Sequence, residues 1–435
     1  MTDDLRVLIA AEHASARFGG EAALPLHYFR VLRRRGIPVW LVTHARTRAE
    51  LTQLYPGDER ILYIEDTAWH RAMWQIGRRL PPQIAYFTTG FLSRLSTQLA
   101  QRRLVRRLVR EQGITVVHQP MPVSPREPSM LFGFGVPVVI GPMNGGMDYP
   151  PAFRRNRGGI ERALLGLGRA SAALLNALMP GKRRAATLLV ANLRTRAALP
   201  AGVCTNVIEL VENGVDLSLW QAPPERLDPA DDAVVTFAFM GRLVDWKAVD
   251  LLLRAFARAR AQAPMRLLVL GDGSERAGLE TLAAELGIAG TDAGPAGTVH
   301  FAGWLAQAVC ARRLREADCL VLPSLLECGG AVVLEAMSMA KPVIATAWGG
   351  PLDYLDPRCG VLVPPTSRTG IVDAFAAAMV AMAQSAPGRK RLGEVGLAKV
   401  RSEFDWELKV DRMLDVYRAA MRRQAVTVDI KRTIT

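Results

Sequence analysis

Apolar positions along this chain fall into two alternating kinds of run. Short unbroken stretches such as LRVLIAA (5–11), IPVWLVT (37–43), ITVVH (114–118) and VPVVIG (136–141) have the length of strands and no polar alternation, as expected of parallel strands covered on both faces. Between them lie segments of helical period. EAALPLHYFRVLRRRG is closed by Gly36, and LSRLSTQLAQRRLVRRLVREQG sets Leu95, Leu99, Leu104 and Leu108 against Arg102, Arg103, Arg106, Arg107 and Arg110. Strand, glycine turn (Gly19, Gly20), helix and strand form a βαβ unit, and open parallel sheets place ligands at such a first crossover. ITVVH delivers His118 to a strand end before the proline-rich loop QPMPVSPREP. VPVVIGPMNGGMDYPP empties into a loop bearing Asn144, Gly145, Gly146 and Asp148.

The pattern then restarts. After the turn NGVD (213–216) and the polar, proline-bearing stretch QAPPERLDPADD, the segment AVVTFAFMGRL opens a second sheet, continued by RLLVLGDGSER, TVHFAGWL, ADCLVLPS and KPVIATAWGGPLDYL. In KPVIATAWGGPLDYL, Gly349 and Gly350 end a buried strand. The expected division is 1–205 and 206–404, with an amphipathic helix at about 405–424 packing back on the first domain. A length of 435 residues suits two domains rather than one core.

Charge sharpens the division. Residues 1–205 hold 29 Lys and Arg against 13 Asp and Glu, and the remainder holds 26 against 28, so the net +14 belongs to the first half. A field of that sign attracts nucleic acid, an anionic membrane or a phosphorylated substrate. The segment RNRGGIERALLGLGRASAALLNALMPGKRRAATLLVAN is apolar with basic ends, is interrupted by Arg169 and is too short to span a bilayer, and reads as helices that flank the cleft and can touch lipid. Five scattered cysteines without a CxxC pair indicate a reducing compartment, and MTDDLRVLIAAEH lacks a basic start and a cleavage site, so a cytoplasmic location is expected.

The chemistry concentrates in PSLLECGGAVVLEAMSMA (323–340), a strand end, a turn of small residues and the start of an apolar helix. The N–H groups of Gly330, Ala331 and Val332 are set to be unpaired donors at a helix N-terminus, a favourable seat for a phosphate or pyrophosphate. Glu327 lies in the turn, and Glu335 follows eight residues on, inside the helix. GRLVDWK places Arg242 and Lys247 across the first turn of the second sheet, where both can reach a pyrophosphate. The strand TVHFAGWL ends near Trp304 and Leu305, whose backbone would flank a base by the resemblance given next.

These motifs together resemble the retaining GT-B glycosyltransferases known as family 4, through ExxxxxxxE in PSLLECGGAVVLEAM, GRLxxxK, NGVD and the VVHxP-like strand end. The resemblance implies two Rossmann-like domains with parallel sheets facing a central cleft. It assigns Arg242 and Lys247 to the donor diphosphate, Glu335 to ribose hydroxyls, Glu327 and His118 to the transferred sugar, and Gly271 and Gly273 to the nucleotide pocket. Gly19 and Gly20 are placed near the donor phosphates and acceptor, and Asn144, Gly145, Gly146 and Asp148 on the acceptor side. One departure is that the glycine usual after the lysine is Ala248. The resemblance implies retention of configuration. No DxD pair stands at a strand end, so no cofactor or metal is expected, only a nucleotide-sugar co-substrate, GDP-mannose first and a UDP-sugar next. The expected acceptor is a polyprenyl-diphosphate-linked oligosaccharide of bacterial exopolysaccharide or cell-surface polysaccharide assembly, met at the anionic inner face of the plasma membrane, with no nucleic acid. A soluble enzyme of the same fold acting on a small sugar phosphate, or a silent partner subunit, are the alternatives.

Overall fold

The computed structural model describes residues 5–154, 172–222 and 234–422. The chain divides into two compact units, one of Met1–Gly146, Gly158–Glu212 and Lys409–Thr435, the other of Met147–Arg157 and Asn213–Leu408. Most of the apolar, basic-ended stretch at 155–184 and the linker at 223–233 lie outside the described residues.

The first unit is built on a seven-stranded sheet, β1 (Val7–Ala10), β2 (Val39–His44), β3 (Ile61–Ile64), β4 (Val116–Gln119), β5 (Val138–Met143), β6 (Thr187–Val190) and β7 (Val207–Glu209), in the order β3-β2-β1-β4-β5-β6-β7. The pairings between these strands are parallel, and β1, β2, β4, β5 and β6 are buried along their whole length, which is why their sequences show no alternation. The division falls at Glu212/Asn213 rather than at 205/206, because Val207–Glu209 pairs with β6 as the sheet's edge strand. The second unit has six strands, β8 (Val235–Met240), β9 (Met265–Leu270), β10 (Val299–Gly303), β11 (Cys319–Leu322), β12 (Val343–Thr346) and β13 (Gly360–Val363), in the order β10-β9-β8-β11-β12-β13 and again parallel. In both sheets the order reverses beside the first strand, at β1/β4 and β8/β11, which opens a crevice at the carboxyl ends of those strands.

The basic helix Phe91–Glu111 buries Thr97, Gln101, Val105, Leu108 and Val109 against the first core. Arg102 is structural: it stacks on Phe132 at 3.5 Å and donates to the Met130 carbonyl at 2.9 Å. No single helix among the described residues is long and apolar enough to cross a membrane.

Candidate functional site

In the second unit the residues singled out for a donor diphosphate stand at the carboxyl ends of four adjacent strands, β10, β9, β8 and β11. After β8 the chain turns through Gly241–Leu243 and a 3-10 turn, Asp245–Lys247, into the helix Val249–Ala259. After β11 it runs through 323–330 into the helix Ala331–Ser338, capped by Gly330. Leu325 N–H donates to the Trp246 carbonyl at 2.9 Å and locks these two loops together.

That contact brings Lys247 to Glu327. The Lys247 ammonium donates to Glu327 Oε2, and only 14% and 12% of the two side chains are exposed. Glu327 is also held by its backbone, since Gly350 N–H donates to its carbonyl at 2.7 Å. A Cβ on Gly349 would lie 2.2 Å from the Glu327 oxygen and one on Gly350 2.0 Å from that of Gly329, so only glycine lets the post-β12 turn come this close. The sequence showed these two glycines as the end of a strand; their part in fixing Glu327 needed the fold. Gly330 adopts φ 77°, and a Cβ there would sit 3.0 Å from Glu327 Cγ. The helix therefore starts where expected, with its first N–H groups free of intrahelical acceptors and a carboxylate–ammonium pair beside them.

Glu335 stands in the second turn of this helix and is partly exposed. Desolvation nonetheless pushes its carboxyl up to about 8, and the Cys310 thiol of the neighbouring helix Gln307–Glu316 is close enough to be raised further by its charge. Arg242 is exposed and makes no ion pair among the described residues, so its guanidinium can be recruited by a ligand. Trp304 is 67% exposed after β10. Gly271 and Gly273 answer first to packing, because a Cβ on either would lie 1.9 Å from the Gly241 oxygen or 2.2 Å from that of Leu243. Leu243 N–H donates to Asp272 at 2.9 Å and completes the lock between the GRL and GDG turns.

Ala248 takes up the left-handed conformation that glycine would hold there, at φ 52° and ψ 38°, and is also the uncapped N-cap of Val249–Ala259. A non-glycine residue in that region carries roughly 1–2 kcal/mol of strain, and alanine is a poor N-cap. Ala248→Gly offsets part of this relief by loosening the unfolded chain, leaving a net gain of about 0.5–1 kcal/mol. The expected result is a melting temperature higher by roughly 1–3 °C, read by calorimetry.

The first unit corrects several expectations. His118 is fully buried at the end of β4. Its Nε2 donates to the Gly141 carbonyl at 2.7 Å, its Nδ1 accepts from the Tyr417 hydroxyl at 2.7 Å, and Tyr28 packs edge-on at 4.9 Å. Burial lowers its pKa to about 4, so the ring is neutral with both nitrogens occupied. A sugar contact through this ring is not available; His118 instead ties β4 to the helix Trp406–Met421. Asn144 is likewise buried. Its amide donates to Glu212 at 2.7 Å and its carbonyl accepts from Arg194 and Thr195, each at 3.3 Å, so its side chain is engaged within the first unit. Gly145 and Gly146 are demanded by close approach to Pro125 and to Ala198 with Arg194. Asp148 belongs to the second unit, where its carbonyl accepts from Trp348 at 2.8 Å, rather than to an acceptor loop of the first. Gly19, at φ 102°, caps the helix Gly20–Arg34 in a conformation that favours glycine, whereas Gly20 has open space around it.

What the sequence did not reveal in this unit is a polar cluster beyond β1 and β2. Glu12 lies in the field of Arg46, Arg94 and His70; burial raises its pKa, and their charges act against that. His13 sits 3.7 Å from Glu12, and Arg46 lies 3.3 Å from Asp66. Buried Lys182 donates to the Ser124 and Pro125 carbonyls at 3.0 and 2.7 Å and fixes the proline-rich loop after β4. No sequence motif marks these groups, because they converge from different crossovers.

Residues 234–385 match the family model described as glycosyl transferases group 1. Among curated proteins, the D-inositol 3-phosphate glycosyltransferase of Segniliparus rotundus is 34% identical over 239 residues, covering 50% of this chain and 48% of the relative. That of a Nocardioides species is 35% identical over 231 residues, covering 49% and 48%. The chain thus spans about half the length of the curated relatives it matches. Among solved structures, Anabaena HepE in complex with UDP and glucose superposes with a TM-score of 0.62 at 15% identity over 95% of this chain and 100% of that one. WaaG, a glycosyltransferase involved in lipopolysaccharide biosynthesis, gives 0.57 at 16% over 94% and 99%. The fold is therefore GT-B, and within it residues 234–385 are similar to the group 1 glycosyl transferases.

Proposed function

We propose that this chain transfers a hexose from a nucleotide sugar to an acceptor with retention of configuration, as an enzyme of family 4. The observation that carries this is the Lys247–Glu327 pair lodged beside the N-terminus of Ala331–Ser338. A nucleotide sugar brings its own activation, so the protein must orient the sugar and stabilise negative charge growing on the departing diphosphate. Lys247, Arg242 and the N–H groups after Gly330 supply that stabilisation. As a diphosphate engages Lys247, Glu327 is released from its ion pair and becomes an acceptor for hydroxyls of the transferred sugar. Glu335 takes the ribose hydroxyls, and the exposed face of Trp304 flanks the base.

The chemistry proposed uses no metal. Turnover is expected to persist undiminished in excess EDTA, and a loss that Mg²⁺ or Mn²⁺ restores would overturn this part. Mannose from GDP-mannose is the first donor reading. A UDP-sugar is the second, favoured by the UDP bound in the HepE structure. A thermal-shift panel of GDP, UDP, ADP and their sugar adducts decides between them, because a ligand that prefers the native state raises its melting point. No shift with any nucleotide would remove the transferase reading itself.

For the acceptor we propose a lipid-linked oligosaccharide at the inner face of the plasma membrane, supported by the basic first unit. A small phosphorylated polyol is the competing reading, favoured by the names of the curated relatives. The Glu12–His13 cluster with Arg46 and Arg94 offers acceptors and cations suited to hydroxyls and an anionic group in either case. Turnover on a water-soluble acceptor in the absence of lipid would select the second reading.

A further inference from the structure

The first unit exposes large apolar side chains where the sequence did not direct attention. In Ala68–Gly77, only His70 and Met73 are buried, while Trp69, Trp74 and Ile76 are 48%, 63% and 47% exposed. At about 100° per residue, Trp69, Met73, Ile76 and Trp74 share an arc of roughly 160°, of which the core covers only the middle. The apolar stripe overflows what the domain buries. Ile84, in the short helix Pro82–Ala85, and Leu92, at the start of Phe91–Glu111, are 50% and 42% exposed, and the turn Tyr86–Gly90 between them packs against Ala68–Gly77.

This hairpin is built, not loose. Thr67 and His70 form a capping box at its start, and a Cβ on Gly77 would meet Thr89 Oγ1 at 2.7 Å. Its charge is of one sign. From Thr67 to Met147 there are ten arginines and two acids, Glu111 and Glu127, and both acids are paired, with Arg107 and Arg94. Arg78 lies 4.9 Å over the Trp74 ring, and Arg71 and Arg79 are exposed beside it.

We infer that the surface of Ala68–Gly77 with Ile84 and Leu92 is the face by which the chain seats on an anionic lipid bilayer. Exposed tryptophan, isoleucine and leucine ringed by arginine suit the interfacial zone, where indole and aliphatic groups enter the acyl boundary and guanidinium groups meet lipid phosphates. A nucleic-acid partner would account for the arginines but not for the aliphatic side chains. The inference rests on the reading of the chain as a transferase that meets its acceptor at a membrane, and it places the contact on the hairpin that precedes the arginine-rich helix Phe91–Glu111.

The test uses the full chain with vesicles of phosphatidylcholine alone or with phosphatidylglycerol, followed by co-sedimentation and by quenching of tryptophan fluorescence with brominated lipid. Expected are binding to the anionic vesicles at low salt, quenching, and a loss of affinity of about tenfold or more in Trp74→Ser/Ile84→Ser. An Arg106→Ala/Arg107→Ala control on the neighbouring helix should lose less. Melting temperature and nucleotide shift should stay unchanged in the hairpin variant, since both side chains are exposed. The inference is overturned if wild type ignores anionic vesicles, if the hairpin variant binds equally, or if the patch instead seals a dimer that the variant dissociates. A nucleotide shift without vesicle binding rejects only this surface, and vesicle binding without any nucleotide shift rejects only the transferase.

Discussion

Replacing Glu327 by glutamine is expected to lower turnover of the nucleotide sugar by about 10²–10³-fold while tightening the binding of the free nucleoside diphosphate several-fold. The two directions follow from one contact. The Lys247 ammonium is engaged by Glu327, with both side chains largely withdrawn from water. A diphosphate must compete with that carboxylate for the lysine and also approaches its negative charge. Glutamine removes competitor and repulsion together, but it no longer offers a charged acceptor to the sugar hydroxyls. Lys247→Ala should lose both turnover and diphosphate affinity, and should also destabilise the fold by roughly 1–3 kcal/mol, because Glu327 is left largely buried without its partner. Isothermal titration with GDP and UDP beside steady-state rates separates the outcomes. If Glu327→Gln changes stability but leaves both affinity and rate intact, the pair is only a structural bridge and the donor site lies elsewhere.

Much of this was legible in the chain. Parallel strands were readable because an unbroken apolar run of that length fits little besides a strand covered on both faces. The placement of the second unit's candidate residues was readable because its parts are local: Arg242 and Lys247 share one turn, and Glu327, Gly330 and Glu335 one loop and helix. Long-range convergence was not. His118 ends a strand, as a ligand-binding histidine would, but its use is decided by Gly141 and by Tyr417, 299 residues away. Asn144 is spent on Glu212, 68 residues on. Glycines hid their packing for a related reason. Gly271 and Gly273 stand in sequence as a pocket turn and Gly350 as a strand end, yet each is also required by a second backbone that its own segment does not reveal. The exposed face of Ala68–Gly77 was hidden too, since sequence periodicity marks an apolar arc without saying how much of it the core will cover.

The pH dependence of donor binding should report on Glu335. Its carboxyl is raised to about 8 from an ordinary value of 4.5 by desolvation, so between those limits the native state holds a proton that the unfolded chain has released. Stability contributed by this group therefore falls as pH rises through that window, and Glu335→Gln should become less unstable relative to wild type as pH increases toward 9. Binding runs the other way. Ribose hydroxyls donate to a carboxylate better than to a protonated carboxyl, so a donor that uses Glu335 must displace its proton below pH 8. Affinity for the intact nucleotide sugar, whose diphosphate diester keeps its charge over this range, should rise by up to about tenfold per pH unit from 6 and level off above 8, with a proton released on binding. Titration in buffers of different ionisation enthalpy measures that proton directly. Glu335→Gln should bind weakly, with a flat profile and no proton release; an unchanged slope in that variant would move the ribose contact away from Glu335.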